Sequence, residues 1–115
     1  SNIIRSMKYN KLTNRDEALK FTSGTSLKDR LVGFNYKQLI YTFGEPTFSF
    51  PSGDGKVQKQ WVFIRESDNE VFTLYDWKTY DADHTMTMTQ SWNVGSKVYA
   101  GEFVTDLIQS IKKKN

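Results

Sequence analysis

Apolar positions recur along this chain with two different periods, and each change of period marks an element. The clearest segment is 34–46. Tyr36, Leu39, Ile40 and Phe43 stand at helical spacing. Asn35 occupies the N-cap position, and Gln38 three residues later completes a capping box. Phe34 before the cap and Leu39 after it form the pair of a hydrophobic staple. Gly44 closes the helix and Pro46 forbids its continuation. The spacing predicts a helix over 36–43.

Upstream, Ser23-Gly24-Thr25 is a turn signal, and Leu27, Leu31 and Val32 around charged Lys28, Asp29 and Arg30 predict a short strand ending near Gly33. Downstream, 47–56 is a loop containing Pro51-Ser52-Gly53-Asp54-Gly55. Val57–Glu66 then holds four consecutive apolar residues, Trp61 to Ile64, which suits a central strand covered on both faces. Ser67-Asp68-Asn69 makes a tight connection to a second such strand over Val71–Trp77, so the two form a hairpin. Residues 78–84 are polar. Thr85–Trp92 alternates strictly, with Met86, Met88 and Trp92 on one side and hydroxyls on the other, and predicts a half-buried strand. That strand is a candidate sheet edge for uptake of a partner strand. Asn93-Val94-Gly95 reads as a turn. Ala100, Val104, Leu107, Ile108 and Ile111 return to helical spacing and predict a second amphipathic helix, with Lys112, Lys113 and Lys114 at the end where cations offset the helix dipole.

Residues 1–18 lack clean periodicity. Ile3, Ile4, Met7 and Tyr9 form an arm that either packs on the body or is partly disordered, and a strand is expected near Leu19–Thr22. The division is an N-terminal arm over 1–23 and a single α+β domain over 24–115. The order strand, helix, three strands, helix predicts an antiparallel sheet of three to four strands with two helices packed on one face.

Composition narrows the chemistry. The chain of 115 residues has no cysteine and one histidine. Disulfides, thiolate metal sites and cysteine nucleophiles are excluded, and so are multi-histidine metal sites. Aromatic residues make up 15%, enough to dominate a small core. The net charge is +3, but it is unevenly spread. Residues 1–43 hold eight basic and three acidic side chains, 44–94 hold four and eight, and 95–115 hold four and two. An acidic middle between basic ends can meet a basic partner through its centre or an acidic one through its termini. No apolar run approaches the roughly 20 residues of a membrane span, and no signal peptide is visible. A cytoplasmic or host-intracellular location and no membrane partner are expected. The start at Ser1-Asn2 reads as a tag scar or as a cut from a longer protein, with Met7 a further candidate start.

Candidate catalytic groups are few. Thr85, His84, Asp81 and Asp83 could be drawn as a relay, but they fall together in an expected loop, where His84 reads as a solvated residue. The same acids lack the oxygen-ligand count and turn of a calcium loop. Gly53-Asp54-Gly55-Lys56 departs from a P-loop, because Val57 and a strand follow the lysine. Asp76, between Tyr75 and Trp77, is expected to mark a strand end, to pair with Lys78 or Lys59, or to serve as a polar site. No cofactor, no metal and no enzymatic activity are expected.

Basic residues interleave with aromatics at Lys56, Lys59, Trp61 and Arg65, and again at Tyr75, Trp77, Lys78 and Tyr80. Lys59, Trp61, Phe63 and Arg65 share a face by parity. Open to solvent, that face would stack bases and meet phosphates. Covered by a helix, its aromatics are core.

Gly24-Thr25-Ser26-Leu27, Tyr36-Lys37-Gln38-Leu39 with Phe43-Gly44-Glu45-Pro46, Gly53-Asp54-Gly55-Lys56 leading to Trp61, Phe72-Thr73-Leu74-Tyr75-Asp76-Trp77-Lys78 and Trp92-Asn93-Val94-Gly95 together resemble a group of small uncharacterised proteins of phages and large DNA viruses. The resemblance spans roughly 24–95. It implies an accessory viral or phage protein acting inside a host cell, and carries no functional residues with it. The expected function is a small non-enzymatic accessory protein that binds another protein or itself. The alternative is nucleic-acid binding through Lys56, Lys59, Arg65, Tyr75, Trp77, Lys78 and Tyr80.

Overall fold

The computed structural model describes residues 8–115. Five strands form one antiparallel sheet in the order β1-β3-β4-β5-β2. They are β1 (Tyr9–Lys11), β2 (Ser26–Val32), β3 (Gln60–Arg65), β4 (Val71–Tyr75) and β5 (Ser91–Ser96). Four helices accompany them among the described residues: α1 (Arg15–Thr22), α2 (Tyr36–Phe43), α3 (Ala82–Thr87) and α4 (Gly101–Lys114). The α+β class holds, while the sheet has more strands and the molecule more helices than the sequence pattern predicts.

The α2 helix forms as its sequence dictates. The Asn35 side chain accepts from the Gln38 N–H at 2.9 Å, and the Gln38 side chain accepts from the Asn35 N–H at 2.8 Å. Gly44 ends the helix at φ +79°, with its N–H on the Ile40 carbonyl, in the left-handed region that glycine enters without steric cost.

α2 and α4 cover one sheet face. Under them lie Trp61, Phe63, Phe72, Leu74, Trp92 and Val94 from the sheet, with Leu39, Phe43, Phe103 and Leu107 from the helices. Phe72 and Phe103 stack with centroids 4.7 Å apart, and Trp61 meets Trp92 edge-to-face at 5.7 Å. Both indole N–H groups are satisfied, Trp61 on the Gly44 carbonyl and Trp92 on the Phe34 carbonyl, so neither ring is buried at the cost of an unpaired donor. The opposite face carries a smaller cluster, in which Ala18 of α1 packs with Val62, Ile64 and Val71. Helices therefore lie on both faces, not on one.

Four expectations are corrected. The strand near Leu19–Thr22 is helix α1. Asn14 caps it by accepting from the Glu17 N–H, and Asp16, Glu17 and Lys20 favour the helix dipole. Its start lies inside the stretch read as an arm, as does β1, whose Tyr9 is buried in the main core; Ile3, Ile4 and Met7 lie outside the described residues. The alternating segment Thr85–Trp92 is a strand only at Ser91 and Trp92, where β5 begins, while Thr85–Thr87 belongs to α3. Asp81 caps α3 by accepting from the Asp83 N–H, and Met88 is 66% exposed. Asn93-Val94-Gly95 is not a turn but the middle of β5. β5 lies between β4 and β2, so the expected edge is interior and the real edges are β1 and β2.

Candidate functional site

One corner of the molecule is built around a buried carboxylate. Asp76 follows the last residue of β4 and is fully buried. Its Oδ1 accepts the backbone N–H of Gln58 at 2.8 Å and of Lys59 at 2.9 Å. Its Oδ2 accepts the hydroxyls of Thr85 and Thr79. Among the described residues the ion pair is Arg65–Asp68, so the expected pairing of Asp76 with Lys78 or Lys59 is replaced by four neutral donors. A buried carboxylate needs such compensation for its lost hydration. The result ties three segments together: the entry to β3, the 76–80 turn and α3.

The clamped turn carries two non-glycine residues in the left-handed region, Lys78 at φ +57° and Tyr80 at φ +56°. Lys78 also donates its N–H to the Lys56 carbonyl at 2.7 Å. Non-glycine residues adopt this conformation at a cost of order 1 kcal/mol, and such strain concentrates at working sites. Here it presents Trp77, 45% exposed, and Tyr80, 58% exposed. Lys56 Nζ lies 5.7 Å and Lys78 Nζ 6.0 Å from the Trp77 ring centroid, within the reach of cation–π attraction. The Tyr80 ring lies 3.8 Å from where a Cβ on Gly55 would stand. The loop beneath is ordered by Asp54, which accepts from the Ser52 hydroxyl and the Lys56 N–H. Those bonds hold the Asp54 carboxyl below its ordinary range, the Ser52 hydroxyl contributing most.

Five of the seven residues singled out from the sequence thus come together: Lys56, Tyr75, Trp77, Lys78 and Tyr80. Lys59 and Arg65 do not. Lys59 is buried, with Nζ on the Ser49 carbonyl at 3.0 Å and over the Tyr36 ring. Arg65 sits at the far end of β3, bound to Asp68 through both Nε and a terminal nitrogen, and that carboxylate holds the guanidinium charged more firmly than usual. The face expected to display Lys59, Trp61, Phe63 and Arg65 is not an open platform, because α2 and α4 bury Trp61 and Phe63 completely. Register explains the split. Gln60, not Trp61, is opposite Tyr75, so Tyr75 belongs to the other face.

On that other face α1 covers only the β3 and β4 side near Val62 and Val71. The row Gln60–Tyr75–Asn93–Arg30 crosses four strands with intermediate or full exposure. Gly95 beside this row makes room for it. A Cβ there would stand 2.9 Å from Thr73 Cγ2 and 3.5 Å from Tyr75 Cε1. Burial raises the pKa of the Tyr75 phenol, partly countered by its hydrogen bond to Asn93 and by the Arg30 charge. Gln60 also floors a groove of about 460 Å³ between α1 and the 48–57 loop, lined by Leu19, Phe48, Phe50 and Val57 with Arg15 and Asp16 at its rim. Arg15 rests on the Phe50 ring at 4.8 Å. Sequence reasoning passed over these groove residues. The available signal was a pair of phenylalanines, Phe48 and Phe50, in a segment with no periodic partner.

The remaining chemistry is sparse. His84 is exposed on α3, while its neighbour Thr85 is buried against Asp76, so the two point apart and form no relay. Among the described residues no three His, Cys, Asp or Glu side chains gather to hold a metal ion. No described helix is long and apolar enough to cross a membrane. The groove's apolar walls and the rigid aromatic corner suit recognition of a surface or an extended segment. The chain matches no protein-family model, no curated protein and no solved structure.

Proposed function

We propose that this protein is a non-enzymatic binding module, whose working surface is the half-covered sheet face together with the groove and the Trp77 corner. The observation that carries this reading is the exposed Trp77, held on a turn that Asp76 fixes by four hydrogen bonds and touched by Lys56, whose loop forms one wall of an apolar groove. Rigid aromatic anchors supply much of the affinity of protein interfaces, because little side-chain entropy is lost when they dock. Leu19, Phe50 and Trp77 are between 45% and 59% exposed, which is costly to leave in water and profitable to cover. A protein segment is the favoured partner, and the viral or phage accessory role stays with this proposal.

The test is panning of a displayed random-peptide library on the immobilised chain. Peptides are expected to enrich on the wild type and to lose at least tenfold in affinity on Trp77→Ala or Leu19→Glu, as removal of an anchor does. Failure to enrich any peptide sensitive to these substitutions overturns the surface as a peptide site.

Lys56 and Lys78 around Trp77 favour a second reading, single-stranded nucleic acid stacked on the indole with phosphates at the ammonium groups. It predicts oligonucleotide binding that weakens steeply between about 50 and 200 mM salt. Fluorescence anisotropy with labelled oligonucleotides decides it, and no binding at the lower salt removes it.

A further inference from the structure

The sheet order leaves β2 at an open edge beside β5. With seven residues it is the longest of the five strands described, and Leu31 is its one buried member. The pairing with β5 decides which way its backbone groups point. Gly33 donates its N–H to the Gln90 carbonyl, next to the Val32–Ser91 and Leu31–Trp92 pairs. Hydrogen-bonded and non-bonded pairs alternate along an antiparallel ladder. Leu31 and Gly33 therefore bond inward to β5, and the N–H and C=O groups of Arg30 and Val32 face the open edge. The Arg30 N–H agrees with this, since it is donated to Asp29 Oδ1 at 2.7 Å. A carboxylate oxygen of the strand itself thus occupies the place where the carbonyl of an added strand would stand.

The side chains along this edge are mainly cationic. Lys28 and Arg30 are exposed. Lys97 stands at the approach to β2, its Cε 3.6 Å from where a Cβ on Gly24 would lie. Asp29 is the acidic residue within β2, and its carboxylate is engaged on the Arg30 N–H. These charges disfavour a second copy of β2 as the added strand. Opposite residues of an antiparallel pair share a face, so self-pairing centred on Asp29 sets Lys28 against Arg30. Self-pairing centred on Arg30 sets two guanidinium groups side by side. Like charges directly opposite destabilise a strand pair, and charge is one device by which an edge excludes the wrong strand. A strand with acidic side chains at those positions meets attraction instead. It also takes the outward Val32 groups into a ladder and covers part of the Val32 side chain, which is 65% exposed.

We propose that the β2 edge is a docking site for an extended acidic segment of a partner protein, added to the sheet as a sixth strand. The proposal does not rest on the Trp77 surface, because β5 stands between β2 and β4. The probe is a labelled peptide of about eight residues, long enough to span β2, with glutamate alternating with valine. A lysine–valine peptide is the control. Fluorescence anisotropy is expected to show the acidic peptide binding below about 1 mM and the control at least tenfold more weakly. Val32→Pro removes one outward N–H and leaves the ladder to β5 intact, a replacement that edge strands tolerate. It is expected to cost at least tenfold in affinity. Arg30→Glu, at an exposed side chain, is expected to do the same, and it reads the site even where proline disturbs the strand. Asp29→Ala frees the Arg30 N–H and removes a like charge, and is expected to tighten binding several-fold. Hydrogen exchange at the Val32 amide is expected to slow on binding. No binding of the acidic peptide overturns the proposal, and so does binding indifferent to both Val32→Pro and Arg30→Glu. Binding that is lost in Trp77→Ala and kept in both β2 variants overturns the edge site and leaves the Trp77 surface standing.

Discussion

Asp76 does at the scale of one residue what a longer loop would otherwise need many contacts to do. Its carboxylate joins two backbone N–H groups before β3 to two hydroxyls of the segment after β4. Asp76→Ala strands the buried donors of Gln58 and Lys59, each costing about 1–3 kcal/mol. The expected loss is about 3 kcal/mol of unfolding free energy in urea melts, with the near-UV signal of Trp77 altered as the turn relaxes. Asp106 on α4 makes the opposite case. Burial raises its pKa, and nearby Glu102 adds to the effect, against the pull of Lys8. The folded state holds this proton more tightly than the unfolded chain does. The stability Asp106 contributes is therefore greatest below the ordinary carboxylate pKa and falls as pH rises through the raised value. Asp106→Asn is expected to raise the midpoint of thermal unfolding at neutral pH and to lose that advantage in acid, which scanning calorimetry at two pH values will show.

At the scale of the element, local signals succeed where they are complete. Asn35 and Gln38 exchange both capping hydrogen bonds, and α2 is readable from sequence to its last residue. Asn35→Ala is expected to cost about 1 kcal/mol, read from the denaturation midpoint at unchanged slope. α1 and α3 carry their own start signals, Asn14 with Glu17 and Asp81 with Asp83. They are short, and the apolar pattern over them is weaker than the cap. In α3 the run of alternating threonines mimics a strand, yet the buried bond of Thr85 to Asp76 selects the helical turn. β5 inverts the error. Asn93 and Gly95 carry turn propensity, but pairing on both sides overrides it, since strand preference is largely set by neighbours. Gly95→Ala tests this packing. The added methyl meets Thr73 Cγ2 and is expected to cost about 1–3 kcal/mol, the usual range for overpacking, together with a changed Tyr75 environment by tyrosine fluorescence.

At the scale of the whole molecule, the two faces of the sheet have different fates. α4 closes the face that holds Phe63, Phe72 and Trp92 through Phe103, Leu107 and Ile111. A chain ending before Gly101 uncovers that core. It is expected to keep far-UV signal, lose near-UV signal and bind a hydrophobic dye, the marks of a state without fixed packing. The other face is covered by α1 only in part, and Val32, Trp77 and Phe50 remain exposed. This asymmetry underlies the proposed binding role.

Capping chemistry, hydrophobic period and composition are local, and they determined the α+β class, α2, α4, the β3–β4 hairpin and the exclusion of cysteine and multi-histidine chemistry. The Gly53–Lys56 segment was legible as part of the loop that feeds the next strand. Strand order was not legible, because β1 and β2 occupy opposite edges and nothing local encodes which long-range pairing is most stable. Nor was the face that stays open. Trp61 and Trp77 are both tryptophans near lysines. One is sealed beneath two helices and the other stands in solvent, because register and layer order fix which side of the sheet each side chain meets. Only the packed tertiary structure sets those two properties, and they decide which side chains the sheet leaves to solvent.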